Sequence, residues 1–390
     1  MTAAAGAVAG PAARSNHARA GPAPGPVALP SEIAPVLGVG ADSPAAFCLA
    51  AGRFAHLSPR FGDLDASEAR TAYVEALERT RRRLDIEPEV VARDLDASSF
   101  AARLAAELGL PTVAVQHHHA HAAAVMAEHG LGGRVLAVVF DDPGLGDDGT
   151  RWGGEFLVAG AASARRAGHL RAVMWSGGGT RAEPWEMAVA HASDAGVLGR
   201  AVPLLGPTGS HTEWIADQSG TGRDRQQDTS AGGLFDAVAS LAGLGPGLGG
   251  PDRSGARLAR AADPSATMEY PFDLGAEDGS VVLDTRPIVR ALVKDLANGR
   301  SARTVVGRFH RTLAAGILAV CRLLRVDTGV DRVVLAGGLF ADDLLASDTA
   351  ARLATQDFQV YLPRRIPAGD AGLALGQAVV ASAHLDPSAA

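Results

Sequence analysis

Four of the chain's twelve histidines stand in five consecutive positions, within Val115-Gln-His-His-His-Ala-His121. Ala122–His129 lacks Gly and Pro, and Gly130 stands where a left-handed residue closes a helix. A helix beginning near Gln116 puts His117 and His121 at i, i+4 on one face, a spacing at which two imidazoles reach one metal ion. Such a pair alone is more often surface or packing than ligand. Two acidic Gly-rich turns weigh against that bland reading. One is Asp141-Asp-Pro-Gly-Leu-Gly-Asp-Asp-Gly149, directly after the apolar run Val135–Phe140. The other is Gly369-Asp-Ala-Gly372, after a second predicted strand. Two neutral imidazoles with carboxylates suit a divalent metal, with iron the favoured candidate and zinc or magnesium the alternatives.

Positioning such groups takes strands that end at the turns and helices that leave them. Val36–Gly40 and Ala46–Leu49 flank Gly-Ala-Asp-Ser-Pro and read as a hairpin, as do Val135–Phe140 and Gly154–Val158 around the acidic turn. Two hairpins, each followed by mixed strand and helix, imply a duplicated α/β lobe. Helices are expected over Ala66–Leu84, Phe100–Leu108, Glu183–Ala192, Phe235–Gly243 and Val305–Leu324. In the last, Leu313, Ile317, Val320 and Leu324 make an apolar stripe. Gly206–Gly233 reads as a long loop. Val333–Leu335 reads as a buried strand running into Gly337-Gly338 and a helix from about Asp342. Gln359–Leu362 is another strand, and a final helix follows Asp370 through Ala383. Residues 1–30 hold 20 Ala, Gly or Pro, so 1–34 is expected to be a disordered tail.

At 390 residues with 47% hydrophobic content, the chain can bury a large core. A net charge of −7 and no Lys/Arg-rich face argue against a nucleic-acid partner. Cys48 and Cys321 are far apart, which excludes a zinc finger or disulfide framework. No apolar run reaches membrane-spanning length and no signal-peptide pattern opens the chain, so a cytoplasmic protein without a membrane partner is expected.

The first motif, with Phe140-Asp-Asp-Pro-Gly-Leu-Gly-Asp-Asp-Gly149 and Trp152-Gly-Gly-Glu-Phe156, resembles the carbamoyltransferase domain of the HypF family and its TobZ-like relatives. The family pattern has Gly, Thr and Tyr where this chain has Asp142, Pro143 and Leu145. The resemblance implies the two-lobed actin/sugar-kinase-like α/β fold with a cleft between duplicated lobes. It divides the chain into a first lobe over 35–133, with helix 371–384 packing back on it, and a second lobe over 134–370. It also implies that His117, His121, Asp141 and Asp370 are catalytic metal ligands, the last through the match across Asp370–Ala378.

Ser230-Ala-Gly-Gly-Leu-Phe-Asp236 and Ala336-Gly-Gly-Leu-Phe-Ala-Asp342 resemble the family's nucleotide segments, which makes Gly232, Asp236, Gly337 and Gly338 candidate nucleotide contacts. Read without the resemblance, the Gly337-Gly338 pair is a tight turn and Asp236 a helix N-terminal carboxylate. The family's Lys-Asn-Thr is Pro44-Ala-Ala here, its Arg is Gly233, and its Asn is Asp342. An added carboxylate beside a phosphate is unfavourable unless a cation offsets it. The family's Asp-x-His-Pro-Asp is reduced to Asp94-Leu-Asp-Ala-Ser98.

The activity implied is transfer of a carbamoyl group from carbamoyl phosphate, through ATP and carbamoyl adenylate, to the C-terminal cysteine of a HypE-type acceptor in [NiFe]-hydrogenase maturation. The stretch ahead of residue 35 is too short for the YrdC-like adenylate-forming domain, so a separate YrdC-like protein is an expected partner. A TobZ-like transfer to a small-molecule hydroxyl and a non-catalytic metal-binding partner module are the alternatives.

Overall fold

The computed structural model describes residues 24–176, 182–206, 225–244 and 254–385. Two sheets carry the fold. The first is built from β1 (Val27–Gly38), β2 (Cys48–Leu57), β3 (Val90–Asp94) and β4 (Thr112–Val115), in the order β2-β1-β3-β4. Its first pair is antiparallel and the other two pairs are parallel. Among the described residues the second sheet comprises β5 (Val135–Leu145), β6 (Arg151–Ala159), β7 (Ala164–Leu170), β8 (Val173–Ser176), β9 (Arg225–Asp228), β10 (Asp273–Glu277), β11 (Ser280–Asp284), β12 (Arg332–Ala336) and β13 (Gln359–Tyr361), in the order β10-β11-β7-β6-β5-β12-β13, with β9 pairing both β6 and β8. Here β7, β6 and β5 are antiparallel neighbours, and β12 and β13 continue parallel to β5. Each sheet thus sets a hairpin beside two parallel strands, the repeat that the two hairpin signals pointed to.

Both expected hairpins form, and helices stand at Ser67–Leu84, Phe100–Glu107, Pro184–Asp194 and Ala302–Thr328. Three expectations need correction. Val27–Ala34 are strand rather than tail, because Val27 and Leu29 are buried and the strand pairs with β2 at Val27–Ala55, Ala28–Phe54 and Ile33–Gly52. The prolines at 30 and 35 are absorbed where the register with β2 shifts. Residues 1–23 lie outside the described residues. The expected loop over Gly206–Gly233 contains β9 (Arg225–Asp228), and its stretch 207–224 also lies outside them. The helix expected from Phe235 begins four residues earlier and covers Ala231–Leu241. Ser230 caps it by accepting from Gly233 N–H (3.1 Å), and the buried glycines let that first turn lie against neighbouring backbone.

Helix His117–Glu128 is buried nearly all round, since its Ala side chains let β1 approach on one side and β5, β6 and β12 on the other. Helix Leu373–Leu385 lies along it and against the first sheet. The two helices approach at backbone distance: a Cβ on Gly376 would fall 1.7 Å from the Ala120 carbonyl oxygen. On the strand side, a Cβ on Gly38 would fall 2.1 Å from the Ala374 oxygen. Gln377 locks the packing, accepting from Gly40 N–H (2.7 Å) and donating to its carbonyl (3.3 Å). No helix of the described residues is long and apolar enough to cross a membrane.

This packing generates a prediction. Gly376→Ala must part the two helices, and overpacking of this kind costs about 1–3 kcal/mol. The thermal midpoint should fall, and divalent-metal affinity should fall with it because Asp370 rides on the displaced segment. Calorimetric melting and metal titration of one sample read both; an unchanged midpoint would contradict the packing.

Candidate metal centre

Gln116 starts the histidine helix by accepting from His119 N–H (2.8 Å), and His117 and His121, one turn apart, face Asp141 of β5. Asp141 ends the apolar part of β5 and is 1% exposed. Its Oδ1 accepts from Asp142 N–H (2.9 Å) and Gly338 N–H (3.0 Å), so two backbone amides fix the carboxylate. Its Oδ2 lies 2.6 Å from His121 Nε2 and 3.6 Å from His117 Nε2. Asp370 opens a one-turn 3-10 helix ahead of Leu373–Leu385, and its Oδ1 lies 3.3 Å from His121 Nε2 and 3.6 Å from His117 Nε2. The two Nε2 atoms are 3.2 Å apart.

These four ligand atoms all lie within 4.8 Å of one another. Ligand bonds of about 2.1 Å around a tetrahedral or octahedral ion give neighbouring ligand separations of about 3.0–3.5 Å. The observed spacings bracket that range, and two nitrogens with two carboxylate oxygens make a donor set that fits a divalent cation. The fit is chemical as well as metric, because imidazoles this close to carboxylates must hold either protons or a cation between them.

In the sequence Asp94 marks only the start of the altered segment Asp94–Ser98, and the fold makes it part of this arrangement. The β3–β4 register pairs Asp94 with Val115, one residue before the helix cap, so its carboxylate meets the first helical turn. Its Oδ2 accepts from His117 Nδ1–H (2.7 Å), which turns Nε2 toward the cluster. Burial alone would lower the His117 pKa, but the charge of Asp94 and hydrogen bonds donated to Asp141, Asp370 and Asp94 raise it well above the ordinary imidazole value. Burial likewise lowers His121, and Asp141 with Asp370 carries it above that value. His118 goes the other way, held well below by burial and by the neighbouring His117.

The remaining candidates flank the centre. Gly337 has φ +94°, and a Cβ there would fall 2.3 Å from the Phe140 oxygen, so only glycine lets this turn meet the end of β5. Gly338 spends its N–H on Asp141. Gly232 lies in the first turn of Ala231–Leu241, under Asp142. Asp236 sits one turn further along, half-buried and past the N-terminal turn, which removes the helix N-terminal reading for it. Asp342 does not burden the cleft with charge: its Oδ2 accepts from His310 Nε2–H (2.7 Å) and its Oδ1 caps helix Asp343–Ala354.

Trp152-Gly-Gly-Glu-Phe156 supplies support that motif reading alone did not assign. Glu155 is fully buried and binds Arg166 Nε (2.6 Å), while Arg166 stacks over Trp152 at 4.2 Å and Trp152 Nε1 donates to Asp148 (3.0 Å). Gly153 and Gly154 admit the backbone of Asp141 and Thr229 at distances no side chain would allow. A charged residue inside an otherwise apolar strand was the signal for Glu155.

Two family descriptions match the chain: "HypF Kae1-like domain" over residues 31–128 and "Carbamoyltransferase, Kae1-like Domain, second subdomain" over 137–377. Among curated relatives, carbamoyltransferase HypF2 of Cupriavidus necator is 35% identical over 89% of this chain and 46% of its own length. A carbamoyltransferase HypF homolog of the same organism is 36% identical over 90% of this chain and 92% of its own. The chain thus spans about half the length of the first of these and nearly all of the second. Among solved structures, full-length HypF in a phosphate- and nucleotide-bound form superposes with TM-score 0.88 at 31% identity, over 94% of this chain and 58% of that one. T. kodakarensis HypF, at 24% identity and TM-score 0.80, shares the fold over 93% of this chain and 50% of its own. The fold is the two-lobed actin/sugar-kinase-like α/β architecture.

Two outcomes follow for the centre. His117 and His121 have raised pKa values, so in metal-free protein their protonation stabilises the fold below pH 6.5 and that contribution is lost as pH rises through the folded values. A ligated imidazole must be neutral, so divalent-metal affinity should rise with pH across the same window and binding should release protons. Calorimetry in two buffers of different ionisation enthalpy measures that release, and none would contradict the imidazole ligands. Separately, Asp370→Asn should weaken metal binding more than Asp142→Asn, and Asp94→Asn should weaken it about 10–100-fold. Equal losses for Asp370 and Asp142 in a metal titration would contradict the ligand set.

Proposed function

The chain belongs to the HypF carbamoyltransferase family, and from that membership we propose that it transfers a carbamoyl group from carbamoyl adenylate to the C-terminal cysteine thiolate of a HypE-type protein in hydrogenase maturation. The observation that carries the reading is the convergence of His117, His121, Asp141 and Asp370 within one ligand sphere. In this reading the four residues are metal ligands, iron being the favoured ion for an imidazole–carboxylate set. The chemistry a divalent ion supplies in such a cradle is Lewis acidity toward a carbonyl oxygen and counter-charge for a phosphate.

The protein's own groups do the positioning. Asp94 holds His117 in the tautomer that presents Nε2. The amides of Asp142 and Gly338 keep one oxygen of Asp141 occupied, which leaves the other to face the histidines. Gly232, Asp236, Gly337 and Gly338 line the approach we assign to the nucleotide end of the donor. The thiolate attacks the carbamoyl carbon, the thiocarbamate C–S bond forms, and the C–O bond to the adenylate phosphate breaks with AMP as leaving group. Formation of the adenylate from carbamoyl phosphate and ATP is assigned to a YrdC-like activity. Pro44-Ala-Ala and Gly233 offer no cation where the family pattern has Lys and Arg, so ATP itself should bind this chain weakly. Losing two charge-assisted contacts, each worth about 1.5–3 kcal/mol, is enough for ~10²-fold.

The test is mass spectrometry of a HypE-type protein incubated with this chain and either preformed carbamoyl adenylate or a YrdC-like protein with ATP and carbamoyl phosphate. The expected result is one carbamoyl group on the acceptor's terminal cysteine, with the rate reduced at least about a hundredfold in His117→Ala. Absence of the modified cysteine under both conditions would contradict the proposal. Full transfer from ATP and carbamoyl phosphate without the YrdC-like protein would overturn the assigned division of labour.

A further inference from the structure

The tip of the β5–β6 hairpin rests on the histidines. β5 and β6 pair as far as Phe140 with Gly154, the register then shifts, and pairing resumes at Gly144 with Trp152 and Leu145 with Arg151. Past that shift the hairpin is a short arm of its own. A Cβ on Gly144 would fall 3.1 Å from both His117 Cγ and His118 Cε1, so the arm leaves no room for a side chain between its backbone and the two rings. Gln116 Nε2 donates to Leu145 O (3.4 Å) and to His118 Nδ1 (2.8 Å), which ties the arm to the helix that carries the imidazoles.

Trp152 seats this arm. Its buried indole lies 6.0 Å from the His118 ring, and a Cβ on Gly146 would fall 2.3 Å from its Nε1. That Nε1–H donates to Asp148 Oδ1 (3.0 Å) in the arm's turn. The Arg166 guanidinium lies over the indole at 4.2 Å and is held there from three directions. Its Nε donates to the fully buried Glu155 (2.6 Å), and its terminal nitrogens donate to Thr229 Oγ1 (3.2 Å) and Asp148 Oδ2 (3.4 Å). A cation over an indole face is attracted by the ring, more strongly where water is excluded. A planar guanidinium keeps the stack and the forked hydrogen bonds together, which an ammonium cannot do.

We propose that Arg166 is a positioning residue for the metal centre: stacked on Trp152, it clamps the Gly144–Arg151 arm onto His117 and His118 and so slows release of the ion. The inference rests on the metal-ligand reading above and deepens it. An imidazole free to turn lets go of an ion one donor at a time, whereas a ring packed under backbone stays in its ligating orientation. Arg166 does this from the far side of Trp152, with its hydrogen bonds on Glu155, Thr229 and Asp148 rather than on the ligands. Its charge also reaches His118, which is held well below the ordinary imidazole value by burial first, then by His117, with Arg166 a smaller contributor. The test therefore separates stack from charge.

The experiment loads the full chain with cobalt(II), whose visible absorption reports ligand geometry, and follows its release to excess EDTA, with a thermal midpoint measured on each sample. Arg166→Lys keeps a charge beside Glu155 but loses the planar stack. Trp152→Leu removes the aromatic face, and Trp152→Phe keeps a face without the indole N–H. Release should quicken at least about tenfold in Arg166→Lys and Trp152→Leu, with an altered cobalt spectrum, and stay within about threefold of wild type in Trp152→Phe. Should Arg166→Lys not fold, Arg166→Gln combined with Glu155→Gln leaves no buried charge and is expected to show the same tenfold rise. Unchanged release in the folded variants would overturn the clamp and leave the ligand reading standing. Equal acceleration in Trp152→Phe would also overturn it, since the indole N–H rather than the stack would then be the cause. Wild-type protein that takes up no cobalt would bring down the ligand reading, and the clamp with it.

Discussion

Everything in this structure answers to the close approach of two imidazoles and two carboxylates in the cleft. Asp141 is 1% exposed, and its Oδ2 lies 2.6 Å from His121 Nε2. Asp370 brings a second carboxylate within 3.6 Å of both imidazoles. Burying such charge without compensation is costly. A proton or a cation between the groups offsets that cost, and the raised pKa values of His117 and His121 are the metal-free form of the compensation. We propose that a bound metal ion takes the place of those protons.

The surrounding architecture holds that convergence against its own repulsion. The carboxylates come from the end of β3, from the point within β5 where its apolar run stops, and from the turn before the last helix, and the histidines from a helix buried between the sheets. Backbone-to-backbone contacts at Gly38, Gly337 and Gly376 set the separations, and a side chain at any of them would open the cleft. Further out, the Glu155–Arg166–Trp152 set fixes the strand behind Asp141, and the His310–Asp342 pair anchors the helix that follows Gly338.

Much of this was legible along the chain because its signals are local. The i, i+4 histidines, the closing Gly130 and the apolar runs before each acidic turn can each be read within a few residues. Asp94 was not, because its role depends on the pairing of β3 with β4, which no local pattern encodes. Asp342 looked like a misplaced charge until His310, thirty-two positions away in sequence, supplied its partner. The start of helix Ala231–Leu241 was missed because two glycines argue for a loop on intrinsic propensity. Close packing against Asp142 and Met187 requires them in the helix, and tertiary contact overrode propensity. The strand at Val27–Ala34 was missed for the opposite reason: a Pro- and Ala-rich composition masked the alternation of Val27 and Leu29.

We propose that the four converging side chains are the ligands of one ion. Anomalous X-ray diffraction from crystals of protein loaded with iron or zinc tests it most directly. A single peak is expected about 2.1 Å from each of His117 Nε2, His121 Nε2, Asp141 Oδ2 and Asp370 Oδ1. A peak on the histidines alone or elsewhere in the molecule, or none at stoichiometric metal, would contradict it.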